Sequence, residues 1–275
     1  ATLTSIIRTF VLPRAASDRI SGFVFNIIRR MFTIRLKKTK DYKVADRVWS
    51  LYAPLSLMAL APTWMAMVTI GYTFLFWAVG TKDWLDAFTL AGSSLLTLGF
   101  ARDPSLVHTI LSFTAATIGL ILVALLIAYL PTMYSAFSRR EVVVNQLAVR
   151  ANTPPSPVEM LRRFHRLEQL GQMNALWENW ETWFVEIEES HTSLAALVFF
   201  RSPLPEHSWV NAAEAMMDAA ALRLALVVVP GDEEGALLPD GNRIPTDPNA
   251  AIMLRAGFVA LRRIAVFFRV PFNPD

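Results

Sequence analysis

Ser93-Ser94-Leu95-Leu96-Thr97-Leu98-Gly99-Phe100 lies between two long apolar runs, and its reading governs the rest of the chain. Upstream, Leu51 to Gly80 carries no charged side chain. Downstream, Leu106 to Phe137 has His108 as its one ionisable group apart from two tyrosines. A bilayer core needs about 20 apolar residues as helix, so each run is long enough to span. As continuous helix the first run would reach roughly 45 Å at about 1.5 Å per residue. Part of it must therefore tilt, kink or leave the core, with Pro54 and Pro62 as the natural places and Pro62–Ala78 as the expected span. Between the runs, Asp83–Leu96 is too short to cross and too apolar for an exposed loop. It fits a descending half-helix, followed by a strand at Thr97–Ala101. Non-helical backbone at membrane depth is tolerated only when buried in protein or lining a watery cavity.

Composition agrees. With 54% hydrophobic residues in 275 and a mean hydropathy of +0.39, the chain is unlike most soluble proteins. The bland alternative is a pair of core helices in a large soluble domain. Charge is divided unevenly. Residues 1–50 hold eleven Lys/Arg against three Asp, whereas residues 138–275 hold thirteen Arg against seventeen acids. Basic residues flank both runs on the outer sides, Lys37, Lys38, Lys40, Lys43 and Arg47 before the first and Arg139, Arg140 and Arg150 after the second. The positive-inside rule then places both termini in the cytoplasm and the chain in the inner membrane as a multi-pass protein. The absence of cysteine rules out disulfides and thiol catalysis. Leu3–Leu12, interrupted by Arg8, lacks the pattern of a cleavable signal.

The expected class is an all-α membrane protein in four parts. Residues 1–50 form a basic amphipathic segment, 51–140 a two-span domain with half-helix and strand at 83–103, 141–157 a Pro-rich linker and 158–275 a cytoplasmic helical domain. In the first part Ser17-Asp18 reads as a helix start. Ile20, Phe23, Ile27, Met31 and Ile34 then recur at helical spacing among Arg29, Arg30 and Arg35. Such a helix lies in the headgroup layer, with Arg29, Arg30, Arg35, Lys37 and Lys38 at lipid, or else packs as an arm on the cytoplasmic domain. Trp64, Trp77 and Trp84 stand where aromatic belts occur. In the last part, helices are expected over Val158–Phe200 with a break near Gly171, over Asn211–Val229 and over Ala250–Val270, with a loop at Pro230–Pro248.

Apolar run, half-helix, Thr97-Leu98-Gly99-Phe100 and second apolar run together resemble the potassium-channel superfamily in its form with two spans and one pore loop. Trp84-Leu-Asp-Ala-Phe-Thr-Leu-Ala-Gly-Ser-Ser94 is similar to the pore helix of members whose filter continues Thr-Leu-Gly-Phe-Gly. The resemblance implies a homotetramer in which carbonyls of Thr97, Leu98, Gly99, Phe100 and Ala101 replace the water shell of potassium or another monovalent cation. Ala101 takes the place of the family's second glycine and Arg102 that of its aspartate, with Asp103 one residue late. Left-handed backbone costs a non-Gly residue roughly 1–2 kcal/mol, which a tetramer would carry at each of its Ala101 positions, and Arg102 would oppose arriving cations unless Asp103 paired with it. Gly119 and Pro131 stand where family members bend an inner helix at a gate, or else serve close packing and the exit of the span.

Other chemistries find little support in the residues. No Gly-rich dinucleotide fingerprint follows a strand. Trp177, Trp180, Trp183 and Phe184 at three-to-four spacing read as a packed face. Glu186, Glu188, Glu189 and His191, and separately Glu206-His207, lack zinc-hydrolase spacing and read as a solvated acidic face. Asp232, Glu233, Glu234, Asp240 and Asp247 lack EF-hand spacing for calcium. Arg255, Arg262 and Arg269 recur every seven residues, as a helix's polar face or as an interface with a subunit or lipid. No nucleophile–base constellation is set out. The expectation is a non-enzyme without cofactor beyond the permeant ion, with lipid and its own copies as partners, no nucleic acid, and an unidentified cytoplasmic regulator. The competing expectation is a scaffold or sensor that keeps the pore fold and does not conduct.

Overall fold

The computed structural model describes residues 4–5, 19–37, 42–202, 204, 206–226 and 247–271. Among these, every regular element is helical: α1 Arg19–Leu36, α2 Tyr42–Ser50, α3 Tyr52–Ala78, α4 Trp84–Leu95, α5 Leu106–Ala151, α6 Pro157–Arg166, α7 Asn174–Ser193, α8 Trp209–Leu226 and α9 Pro248–Phe268, with 3₁₀ turns at Leu170–Gln172 and Ala195–Phe199. The all-α class expected from the sequence is the class observed. Lys38 and the loop at Pro230–Pro248, apart from Asp247 and Pro248, lie outside the described residues. The chain forms two compact units, Ala1–Ser135 and Ala136–Asp275.

Val44–Ala78, in the first unit, and Leu106–Ala151, which begins there and runs on past Ser135, contain helix long and apolar enough to cross a membrane. Only 33% and 17% of their apolar windows are buried within the chain, where a core helix of a soluble domain would be mostly covered. Pro54 sits in the first turn of α3, where its missing N–H costs no helical bond, and Pro62 is accommodated inside the helix. Val24 of α1 is buried; Phe25 and Phe32 form edge contacts with Tyr52, and the Tyr52 hydroxyl donates to the Phe25 carbonyl at 3.2 Å. The other face of α1 leaves Phe23, Met31 and Ile34 about two-thirds exposed, beside exposed Arg29, Arg30, Arg35 and Lys37. Trp64 departs from its expected place in an aromatic belt. It is 1% exposed, and its Nε1 donates to Ser5 Oγ at 3.1 Å, because position 64 falls on the covered side of α3.

The second unit packs around α7. Trp177, Trp180, Trp183 and Phe184 are at most 2% exposed and meet Met160, Met216 and Met253 in one core. A side chain at Gly257 would strike Met217 and Phe184, so the glycine allows close approach there. Residues 141–157, read as a linker, are helical as far as Ala151, and Val144, Leu147 and Ala151 lie in this core. Asp247, read with the possible calcium ligands, caps α9 through Ala250 N–H at 3.1 Å and accepts from Trp177 Nε1 at 3.2 Å.

His191 corrects the reading of a solvated acidic–His face, since it is fully buried. Its Nδ1 faces the Ile187 carbonyl at 2.9 Å, so Nδ1 carries the proton and Nε2 accepts from Arg140 Nη1 at 3.2 Å. Arg140 is 3% exposed and also donates to Glu141 Oε1, Leu197 O and Phe200 O. Burial first, and the Arg140 charge second, push the His191 pKa down to about 3. Its neutral form therefore stabilises the fold fully above the unfolded value near 6.5, and that contribution is lost as pH falls toward 3.

Two outcomes follow for urea unfolding monitored by tryptophan fluorescence. Glu141→Gln, which leaves Arg140 charged and buried, should cost about 3–5 kcal/mol, with Arg140→Met/Glu141→Leu costing less. Native stability should also fall more steeply between pH 6.5 and 5 than that of His191→Asn; parallel profiles would show that His191 is not the group responsible.

Candidate functional site

The candidate site lies where α3, α4 and the start of α5 meet. Phe76 of α3 is fully buried against Ala87, Leu90 and Ala91 of α4. Trp84, in the first turn of α4, makes edge contacts with Phe74 at 5.0 Å and Trp77 at 5.8 Å. These aromatic contacts hold the start of α4 to the end of α3. The connection turns on Gly80, at φ 109°, where a side chain would be strained. The Thr81 hydroxyl then donates to the Phe76 carbonyl at 2.8 Å.

At its other end α4 stops at Leu95, and the chain runs on without regular structure to Pro104; the strand expected at Thr97–Ala101 is not formed, because Thr97 and Gly99 take left-handed backbone. One residue, Ser93, organises this run. Its carbonyl accepts from Leu98 N–H at 2.8 Å and Gly99 N–H at 3.4 Å, and its hydroxyl accepts from Ala101 N–H at 3.1 Å. Thr97 N–H is taken by the Ser94 carbonyl. The N–H groups of Thr97, Leu98, Gly99 and Ala101 are thereby turned back to the helix end. Among the described residues no donor reaches the carbonyls of Thr97, Leu98, Gly99 or Phe100, and these four residues are exposed.

Left-handed backbone falls on Thr97 (φ 55°) and Gly99 (φ 73°), not on Ala101. This corrects the expectation that alanine is the strained residue. Gly99 needs its glycine for this conformation, whereas Thr97 bears the penalty of a side chain there, as residues at functional sites often do. The Ala101 methyl instead packs against the Phe76–Leu90 cluster behind this run. Ala101 thus carries a packing role and no left-handed backbone penalty.

Asp103 does not pair with Arg102. Its carboxylate accepts from Ser105 N–H at 2.9 Å and lies 3.5 Å from His108 Nδ1. Arg102 is exposed. His108 is 5% exposed and stacks on Phe76, with ring centroids 5.9 Å apart. Thr81 uses its proton on Phe76, so toward His108 Nε2, 3.1 Å away, its oxygen accepts. Nδ1 is left without a hydrogen-bond partner; Asp103 stands at ion-pair distance but not in hydrogen-bond geometry. Ser93, Thr81 and His108 are the site residues that sequence reasoning missed. A serine in the last turn of a half-helix was the available signal for the first.

Gly119 of α5 lies against the end of α4, where a Cβ would collide with the Leu95 carbonyl. Pro131 lies inside α5, which continues to Ala151. In the second unit, a cleft of about 330 Å³ is lined by Gln146, Arg150, Phe164, Gln169, Gln172 and Asn179 among others. Carboxamides and one guanidinium in its wall suit a small polar ligand. Among the described residues no group of three or more His, Asp or Glu could hold a metal ion.

Gly119→Ala should force the α4 end away from α5, at a cost of about 1–3 kcal/mol, lowering the thermal midpoint of the purified chain. A midpoint equal to the native one would show that the close approach is not needed. In comparisons with known proteins, no family model, no curated protein and no solved structure matches this chain.

Proposed function

We propose that the chain is one subunit of a tetrameric, potassium-channel-like pore for potassium or another monovalent cation. Thr97–Phe100 would offer backbone oxygens to the ion, and Ala101 would complete the run. One observation carries this reading: four successive carbonyls without donors, on an irregular run in which the N–H groups of Thr97, Leu98, Gly99 and Ala101 are held by the end of a half-length helix. Carbonyl rings of this kind replace an ion's hydration shell, and four copies supply the ring. The two long apolar helices support a place in the membrane, with α4 as a re-entrant helix. A half-length helix and a bare strand are stable at membrane depth only when covered by protein or water.

The face of α1 fits the same picture. Phe23, Met31 and Ile34 enter the acyl boundary, while Arg29, Arg30, Arg35 and Lys37 meet anionic headgroups at the inner leaflet. The cleft beside Arg150 and Gln169 would take the cytoplasmic regulator. No enzyme activity and no further cofactor belong to this reading.

A second reading, a non-conducting scaffold or sensor on the same fold, is favoured by Arg102. Four copies would gather four guanidinium groups at the outer mouth, and Asp103 is turned toward Ser105 and His108. Like charges at that spacing repel an arriving cation.

Potassium and sodium flux into liposomes carrying the purified chain separates the readings. The pore reading expects potassium flux in the native chain and a loss of discrimination of about tenfold, one interaction's worth of 1.4 kcal/mol, in Thr97→Ala. Ala101→Gly should conduct no better than the native chain and be less stable, by about the 0.8 kcal/mol of one buried methyl. A folded tetramer that passes neither ion, with or without these substitutions, would rule for the scaffold.

A further inference from the structure

Two helices of the second unit turn strips of opposite charge outward. On α9, Ile252, Val259 and Val266 recur at seven-residue intervals and are 51%, 37% and 61% exposed. Arg255 and Arg262, also seven apart, interleave with them, and Arg269 follows as the left-handed C-cap of the helix; all three are exposed. The row steps by three and four residues in turn, the spacing along which one helix meets another in a seam. The opposite face of α9 is already occupied, since Ala250, Met253, Gly257, Ala260 and Ile264 are buried in the core.

On α7, Glu178, Thr182, Val185 and Glu189 step by four, three and four, and are exposed together with Glu186. Its buried face holds Trp177, Trp180, Phe184 and Ile187. The charge separation is complete along both helices. α7 carries five glutamates and no Lys or Arg, and α9 carries arginines and no Asp or Glu. Within one chain the two helices already meet along one flank, where Arg263 Nη1 donates to Glu188 Oε1 at 2.8 Å and Asn249 Nδ2 to Glu178 Oε1 at 3.1 Å.

We propose that the arginine–valine strip of α9 docks on the glutamate strip of α7 in a second copy of this chain. Pairing α9 with α9 would set arginine rows against each other, and pairing α7 with α7 would do the same with glutamates. The α9–α7 pairing alone satisfies both charge and seam spacing, and it covers Ile252, Val259 and Val266 around Val185. Complementary charge at such a seam chooses partner and register more than it adds affinity. The inference rests on the multimeric reading above and adds the surface that joins the copies.

The chain has no native cysteine, so single thiols can report the contact without background. Full-length Val185→Cys and Val259→Cys chains, differently tagged, are co-expressed, purified in detergent and treated with a short bifunctional maleimide. Each chain bears one thiol, so any covalent dimer joins two copies. The mixed product should exceed either self-product by about tenfold. Arg255→Glu with Arg269→Glu in the Val259→Cys chain should reduce it about tenfold, the effect of two surface pairs turned repulsive. Glu178→Arg with Glu186→Arg in the partner should restore it, with unchanged circular dichroism showing that each variant is folded.

Light scattering on the same samples distinguishes the failures. An oligomer without the mixed product overturns this docking surface, assigns the arginines to an anionic lipid surface instead and leaves the multimeric reading standing. A monomeric native chain overturns both. The mixed product without ion flux upholds the docking surface and counts against conduction alone.

Discussion

A backbone N–H or C=O removed from water must find a partner, and in hydrocarbon the cost of failing is several kcal/mol for each group. Under the pore reading, this requirement falls hardest on the irregular run after Leu95. The chain meets it asymmetrically. Ser93 and Ser94 collect the N–H groups of Thr97, Leu98, Gly99 and Ala101, while the carbonyls of Thr97–Phe100 are left for a partner from outside the chain. A run satisfied on one side and open on the other is an acceptor surface, and a cation is the partner that such a surface suits. The surrounding elements serve that run. Phe76 and Leu90 back it, the aromatic contacts of Trp84 hold the start of its helix, and Gly119 lets α5 approach its root.

The second unit solves a different problem, that of burying a guanidinium and an imidazole without leaving either unmatched. Arg140 finds a carboxylate, two carbonyls and a neutral ring nitrogen. It also lies within 5.2 Å of the centroid of Phe137 and 5.6 Å of that of Trp209. Such a network favours one arrangement of its members over near alternatives, because a partly made network leaves a charge bare. The strongly polar centre is thereby compatible with the tryptophan-rich core beside it.

The helices were legible in the sequence where their pattern is local. Charge-free length marked α3 and α5, three-to-four spacing marked the covered face of α7, and Asp83–Leu96 was too short for anything but a half-helix. What escaped depends on partners far along the chain. Trp64 and Trp77 are alike in sequence context, yet one is buried at Ser5 and the other is half exposed. His191 sits among glutamates, and only the fold brings Arg140 to it. Asp247 stands with other acids in an apparent calcium cluster, but Trp177 and the α9 terminus take its oxygens. At the candidate site, Thr97 and Gly99 were legible from the motif. Which residue carries left-handed backbone, and what the Ala101 methyl touches, were not.

The position of that methyl sets how the site can drift over generations. A residue chosen for backbone freedom tolerates glycine and little else, whereas one whose side chain fills a gap is limited by volume. Position 101 is under the second kind of limit, since its methyl packs on the Phe76–Leu90 cluster and its backbone is not left-handed. What is admitted there is set by the room against Phe76 and Leu90. The run after Leu95 is therefore anchored at Ala101 twice, through its side chain on the Phe76–Leu90 cluster and through its N–H on Ser93.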